Sequence, residues 1–270
     1  MIELKDIEHK LLKTPDKQIS LTDPDTRSMI SNSIIKAVVG YNVQTAVVTR
    51  HHLIVSHEVT TKSTDRAQLE NMAKQARADM AVKNLTVLAD RGYFNGEQIL
   101  ACEQAGITTY VPKSETSNAK AHGRFDRKDF HYHATDDEYQ CPAGERLPKR
   151  MTNVEKGKTL HRYWSSNCKD CHLKERCTPS TERRVTRWKH ETVLEAVEKR
   201  LNQNPEAMTI RKSTVEHPYG TIKSWMGSSH FLMKGLKNVS TEMSLHVLAY
   251  NLKRVMNIMG IKPLIAAIRA

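Results

Sequence analysis

The sequence is short of long apolar runs, aromatic residues and cysteines. No stretch approaches the roughly 18 uninterrupted apolar residues of a membrane-spanning helix, and the first ten residues, MIELKDIEHK, are too charged for a secretory signal. These absences exclude a membrane protein and predict a cytoplasmic location. With 39% hydrophobic and 27% charged residues, the 270-residue chain has the composition of a globular protein with one large core or two modest ones.

The positive charge is concentrated in two segments. Residues 141–190 carry 13 Lys and Arg against 5 Asp and Glu, and residues 207–270 carry 9 against 2, which leaves −3 of the total +12 for the rest. Clustered cations gain affinity for phosphates by releasing condensed counterions, so we expect a nucleic-acid partner. The alternative is a solvated basic surface that only aids solubility.

Four of the five cysteines fall within 37 residues, at Cys141, Cys168, Cys171 and Cys177. Four thiolates suit a closed tetrahedral zinc site, which would be structural rather than catalytic. The alternative is a set of unligated thiols, because the spacing is not two Cys-x2-Cys pairs. Nearby, His172 could replace one ligand.

Residues 1–33 mix helical and loop signals and contain a polar turn at 22–25. Two β-rich runs follow from Ile34, Lys36–Val48 and Leu53–Thr61, and they predict an antiparallel hairpin. Asp65 is then expected to cap a helix that runs to about Ala81.

A strand at Asn84–Ala89, a helix at Gly96–Ala105 capped by Asn95, and a strand at Ile107–Val111 come next. A helix between two strands implies a crossover, so this region predicts an α/β (α+β) fold with one mixed sheet covered by helices. Cys102 is assigned to the core.

From Pro112 the regular pattern stops. We predict a first domain segment over 34–112, a basic cysteine-containing insertion over 113–190, and a helical segment over 191–270, which would complete the first domain. In the last segment, the long run 239–259 is expected to bury Leu245, Leu248, Leu252 and Val255.

Two carboxylates occupy positions at which functional residues are often found. Asp90 follows a buried strand, although an Asp before Arg-Gly is as easily a turn former. Glu216 shares a helical face with Lys212 and Lys223, as expected for a metal beside a phosphate backbone or for an ordinary ion-pair ladder. Pro218 predicts either a kink or a Glu216 confined to the first helical turn.

Aromatic and histidine residues of the insertion leave alternatives open. Tyr163, Trp164 and Trp188 could contact DNA or pack around a zinc site. The alternation in Phe130-His131-Tyr132-His133 favours an amphipathic strand over a metal site.

Four sequence blocks resemble, in order, those of bacterial insertion-sequence transposases with a DDE catalytic domain. They are GYNVQTA at 40–46, ADRGYF at 89–94, VEHPYGTIK at 215–223 and LAYNLKR at 248–254. The Asp-Pro-Asp turn at 23–25 and the cysteine insertion fit the same resemblance.

The resemblance implies a ribonuclease H-like fold and a role in cutting and joining double-stranded DNA at element ends. Asp90 and Glu216 would be the second and third acidic residues that hold Mg²⁺, and Arg211, Lys212 and Lys223 would bind DNA. Two Mg²⁺ ions would serve the reaction, and a structural zinc would sit in the insertion. The location would be the nucleoid, in homo-oligomers or in mixed oligomers with full-length transposase.

One element of the family pattern is missing. The first aspartate of the family ends an early strand, in a context such as Asp-Gly-Thr-Lys, and none of Asp6, Asp16, Asp23 or Asp25 follows an apolar β run. The sequence therefore predicts an N-terminally truncated chain that lacks this strand and is inactive in catalysis. The alternative is a DNA-binding remnant or an inhibitor of the full-length enzyme.

Overall fold

The computed structural model describes residues 2–14, 16–30, 37–113 and 119–269. The chain divides into two units, residues 1–113 with 197–270, and residues 114–196. The helices are α1 (Ile2–Lys13), α2 (Leu69–Asp79), α3 (Gly96–Gln104), α4 (Lys174–Cys177), α5 (Glu191–Gln203), α6 (Ala207–Gly220), α7 (Leu236–Met259) and α8 (Ile261–Arg269). None of these helices is long and apolar enough to cross a membrane.

The described strands fall into four separate sheets. They are β1 (Arg27–Ile30), β2 (Ala37–Gly40), β3 (Asn42–Val47), β4 (Ile54–Thr60), β5 (Leu85–Leu88), β6 (Ile107–Tyr110), β7 (His131–His133), β8 (Glu138–Gln140), β9 (Arg146–Glu155), β10 (Lys158–Tyr163) and β11 (Val185–Trp188).

The first predicted β run, Lys36–Val48, is two strands rather than one. Tyr41 separates them, because its hydroxyl turns inward and donates to Asp23 at 2.7 Å. As a result β2 pairs with β1, whereas β3 pairs antiparallel with β4 through a bulge between Ala46 and Val47. Ile34 and Lys36 lie outside the described residues.

The predicted strand–helix–strand crossover is present. Strands β5 and β6 are parallel, and α3 between them is capped by the Asn95 side chain, which accepts from the Glu97 amide at 3.1 Å. Cys102 is fully buried, as predicted. The expected single mixed sheet is not formed, because β3 and β4 make one two-stranded sheet and β5 and β6 another.

Helix α7 packs against β4 through a face that the sequence did not single out. Val239, Met243, Val247 and Tyr250 are buried with Ile54 and Val59. The prediction that Leu245, Leu248 and Leu252 form the core is wrong, since they are 60%, 63% and 47% exposed, and Val255 is only half-buried. Apolar residues occur on several faces of α7, so spacing alone could not choose the buried one.

The Asp-Pro-Asp turn holds the start of α7. Asp25 accepts from the Leu236 amide at 2.8 Å, and Asp23, which is buried, accepts from the Gly235 amide at 3.1 Å. The first amides of a helix have no partner within the helix and carry partial positive charge, so these two carboxylates stabilise its N-terminus.

The unit formed by 114–196 is built on an antiparallel sheet in the order β11-β10-β9-β8-β7. Its core includes Tyr139, Leu147 and Tyr163. Because Tyr163 is fully buried and Trp188 is 9% exposed, these two rings pack the unit and are not a DNA-contacting surface. The strand predicted across His131 and His133 is confirmed as β7.

Replacing Asp23 by Asn should lower the free energy of unfolding at neutral pH by about 1–2 kcal/mol, because a neutral amide accepts weaker hydrogen bonds. Burial acts to raise the pKa of Asp23, but hydrogen bonds from Tyr41 and the amides of Gly235 and Asp25 outweigh it and lower the pKa. The stabilisation is therefore complete above the ordinary pKa of 3.8 and is lost as the pH falls through the folded pKa.

Urea unfolding of the wild type and of Asp23→Asn should therefore converge as the pH is lowered from about 5 to about 2. Asp6→Asn, an exposed change on α1, is the control and should leave the unfolding midpoint unchanged. A difference that stays constant across this range would contradict the assigned role of the Asp23 carboxylate.

Candidate functional site

Asp90 lies just beyond the carboxyl end of β5 and uses both of its oxygens. Oδ1 accepts from the Gly92 amide at 2.8 Å and so caps the short 3₁₀ turn Arg91–Tyr93. Oδ2 accepts from Arg211 Nη2 at 2.8 Å. The turn-forming interpretation of Asp90 is thus confirmed, because one oxygen caps the turn, and its catalytic role stays a prediction.

Arg211 ties the end of β5 to α6. The side chains of Asp90 and Arg211 are 43% and 25% exposed, so solvent screens much of their attraction and the pair contributes little stability by itself. The pair matters for the position of the two side chains. The guanidinium that the resemblance assigns to DNA binding is hydrogen-bonded to the candidate catalytic carboxylate.

A second carboxylate, Asp65, approaches Asp90 across Gly92. A methyl group placed on Gly92 would lie 3.0 Å from Asp90 Oδ1 and 3.4 Å from Asp65 Oδ2. A side chain at position 92 would therefore require Asp90 Oδ1 to shift by a few tenths of an ångström, while Asp65 Oδ2 would come into ordinary contact with it.

Amide side chains of β3 hold Asp65 in place. Asn42 Nδ2 and Gln44 Nε2 donate to Asp65 Oδ1 at 2.8 and 2.7 Å, and Gln44 is only 1% exposed. The Tyr93 hydroxyl donates to Gln44 Oε1. Burial and the neighbouring Asp65 carboxylate raise the pKa of Tyr93, so its hydroxyl stays protonated and remains a donor.

Sequence analysis missed Asp65 as a site residue and assigned it to a helix cap. The Asp65 side chain caps no helix; residues 65–67 form a 3₁₀ turn, and α2 begins only at Leu69. The available signal was the pair Asn42 and Gln44. Two amides at alternate positions of one strand point to the same side and need polar partners there.

Glu216 lies in the third turn of α6, with 63% of its side chain exposed. Its ion pair with Lys212, four residues earlier, is 3.9 Å long and solvent-exposed. Arg211 and Glu216 are five residues apart, about 140° around the helix, so they face different directions. No three His, Cys, Asp or Glu side chains in the described parts of the chain are grouped as a metal site.

Pro218 lies inside α6, so the expectation that it confines Glu216 to the first turn is wrong. Proline has no amide hydrogen, which frees the Thr214 carbonyl four residues earlier. The His52 ring nitrogen Nδ1 lies 3.4 Å from that carbonyl oxygen.

Lys223 lies beyond α6 in a π-helical turn, Thr221–Trp225. A π turn has more residues per turn than an α-helix, so the spacing from Glu216 to Lys223 is not that of one continuous α-helix, and their shared face stays a prediction. Its ammonium lies 5.8 Å from the centroid of the Tyr219 ring.

The four clustered cysteines line one cavity of about 190 Å³ in the 114–196 unit, together with His172. Burial raises the pKa of Cys177; Arg183 opposes this, and the neighbouring Cys168, Cys141 and Cys171 add to it. The four thiols therefore line the same cavity. Within the described residues, however, they are not close enough to one another to form a metal-binding group.

One family model matches part of the chain. Residues 140–256 match the family model described as transposase DDE domain, which covers less than half of the chain. The resemblance to DDE transposases drawn from the sequence blocks is thereby confirmed. The matched range includes Glu216 and the four cysteines, whereas Asp90 precedes it. No curated protein and no solved structure matched the chain.

Replacing Gly92 by Ala should lower the free energy of unfolding by about 1–2 kcal/mol, because the new methyl group forces Asp90 or Asp65 to move. Gly40→Ala is the matched control, since a methyl group there meets nothing within 4 Å. The check is thermal unfolding of both variants. Equal midpoints would show that the two carboxylates do not converge on Gly92.

Proposed function

We propose that this protein is an insertion-sequence transposase chain of the DDE type that acts in DNA strand cleavage and transfer at element ends. The inactivity expected from the sequence pattern stays a prediction, which the nicking assay described below tests. The observation that carries the proposal is the transposase DDE domain match, whose range includes Glu216 and α6. Through Arg211, the same helix binds Asp90 at the end of β5.

The fold of the proposed catalytic domain is ribonuclease H-like, formed by 34–112 and 191–270, with 113–190 as an insertion. Support comes from the parallel crossover β5–α3–β6 next to an antiparallel β3–β4 pair. The division of the chain into 1–113 with 197–270 and 114–196 also supports it.

Asp90 and Glu216 are the residues proposed to hold Mg²⁺, which takes oxygen ligands. Bound there, Mg²⁺ supplies charge stabilisation for phosphoryl transfer. The fit is partial, because both Asp90 oxygens are already hydrogen-bonded and Glu216 points to solvent. A DNA phosphate near Arg211 would compete for its guanidinium and leave Oδ2 more accessible to the ion.

Lys212 and Lys223 are proposed to bind the DNA backbone. Lys212 is 70% exposed, and its distant pair with Glu216 leaves the ammonium accessible to phosphate. Further charge comes from the 141–190 segment, although Arg162 and Arg187 there are paired with Glu155 and Glu195. Pairing with a second copy or with full-length transposase belongs to the same proposal.

A second candidate is a chain that binds DNA without cutting it. The observation in its favour is that the described side chains form no three-carboxylate group. It differs from the first candidate in one measurable property, Mg²⁺-dependent nicking. Both candidates predict binding that weakens steeply with salt.

Asp90→Asn and Glu216→Gln should each abolish Mg²⁺-dependent nicking of a plasmid carrying element ends, because each removes an anionic ligand. Binding to the same DNA, measured by fluorescence anisotropy, should change little. Glu8→Gln on α1 is the control, because it makes the same change in charge at an exposed site. This variant should retain full nicking.

Absence of nicking by the wild type, with DNA binding intact, would select the non-cutting candidate. Nicking that survives in Asp90→Asn would instead show that Asp90 is not a catalytic residue.

We also infer that Cys141, Cys168, Cys171 and Cys177 hold a structural zinc ion, supported by their common cavity. Purified protein should then contain about one zinc per chain, and a chelator should lower its thermal midpoint. Cys171→Ser should lose most of the metal. Cys102→Ala, which removes a buried thiol elsewhere, should keep the metal even if it is less stable. Equal zinc contents in the two variants would contradict this assignment.

A further inference from the structure

The turn between β3 and β4, residues 48–53, is fixed to α7 by side chains of that helix. Asn251 Oδ1 accepts from the Ile54 amide at 3.0 Å, and Asn251 Nδ2 donates to the Ile54 carbonyl at 2.7 Å. The Tyr250 hydroxyl donates to the His52 carbonyl at 2.6 Å. We call this segment the β3–β4 turn, and its backbone is held in one position relative to α7.

Arg254 binds the β3–β4 turn through only one of its five N–H groups. It lies one helical turn beyond Tyr250 on α7, and its Nε donates to the His51 carbonyl at 2.8 Å. Within the described residues, its two terminal nitrogens, Nη1 and Nη2, have no hydrogen-bond partner. A planar guanidinium that is already held in place, with both terminal nitrogens available, fits two oxygens of one phosphate group.

The charge of Arg254 has no carboxylate paired with it in the described part of the chain. The side chain is half-buried, and residues 48–57 and 243–270 contain no Asp or Glu. Glu242, the one acidic residue of α7, is bonded instead to the backbone of the loop before the helix. Burial raises the pKa of Tyr250, whereas the charge of Arg254 acts to lower it. A half-buried cation without a counter-charge is unfavourable, and a bound anion would offset that cost.

Arg50 adds a second cation at the same turn. It is exposed, it directly precedes His51, and among the described residues it has no ion-pair partner. Its long side chain therefore begins next to the carbonyl that holds Arg254. Two like charges at one turn repel each other, and an anion bound between them would remove the repulsion.

The β3–β4 turn is remote from the Asp90 site along the strand. Gln44 belongs to the polar network beside Asp90. Thr49 lies five residues further on, which corresponds to roughly 16 Å at the rise of an extended strand. Substitutions at the β3–β4 turn should therefore leave the contacts of Asp90 unchanged.

We infer that Arg50 and Arg254 form a phosphate-binding site at the β3–β4 turn. One phosphate group accepts from Nη1 and Nη2 of Arg254, and Arg50 neutralises further negative charge beside it. The source of the phosphate is the DNA backbone, and this part of the inference rests on the proposed function. The site is an additional contact that holds DNA away from the carboxylates.

The first measurement uses inorganic phosphate and the full chain, so it does not depend on DNA. As phosphate replaces chloride at constant ionic strength, the NMR signals of the Arg50 and His51 amides should shift saturably. Arg254→Gln keeps a donor for the His51 carbonyl but removes the charge, and should weaken this phosphate binding by about tenfold or more. Lys253→Gln, an exposed change of equal charge at the next residue, is the matched control and should bind phosphate as the wild type does.

The second measurement is the binding of a labelled DNA duplex, followed by fluorescence anisotropy at a series of salt concentrations. Loss of one phosphate contact releases fewer counterions. Arg254→Gln and Arg50→Gln should therefore each reduce the slope of log K against log salt concentration by about 1, whereas Lys253→Gln should leave it unchanged.

The two measurements separate this inference from the proposed function. Phosphate binding that Arg254→Gln weakens, in a chain that binds no DNA, would support the phosphate site and contradict the proposed function. If DNA binds but its salt slope is the same in both arginine variants, the DNA backbone is not the source of the phosphate. No effect of Arg254→Gln in either measurement would overturn the inference.

Discussion

The site depends on one hydrogen-bonded ion pair, between Asp90 and Arg211. It joins a strand end to a helix residue 121 positions later in the chain. The pair is too exposed to add much stability. The pair places Arg211 of α6 against Asp90, whereas Glu216 on the same helix faces another direction and is exposed.

The buried amide Gln44 holds the polar residues that lie near Asp90 on the side opposite α6. It donates to Asp65 and accepts from Tyr93, so a strand, a 3₁₀ turn and the loop after β5 share one polar network. A buried amide left without partners would cost about 1–3 kcal/mol, which makes this arrangement specific. Gly92 completes it by leaving space for two carboxylate oxygens. Asp65 thus belongs to the same site as Asp90, a relation that chain order conceals.

Aspartates that resemble one another in sequence have different roles in the fold. Asp23 and Asp25 bind the first amides of α7 and are occupied there, which agrees with the sequence-based exclusion of both as catalytic ligands.

Local patterns were sufficient for the crossover β5–α3–β6, the Asn95 cap, the burial of Cys102 and the strand β7, because turn residues and short-range periodicity determine such features. The roles of Asp90 and Glu216 come from the family blocks and stay a prediction. Tertiary structure decided which face of α7 is buried, where Lys36–Val48 breaks, that Tyr163 and Trp188 pack inside, and that Asp65 meets Asp90. Each of these depends on contacts between residues far apart in the chain, and a helix with several apolar faces, such as α7, has no local preference among them.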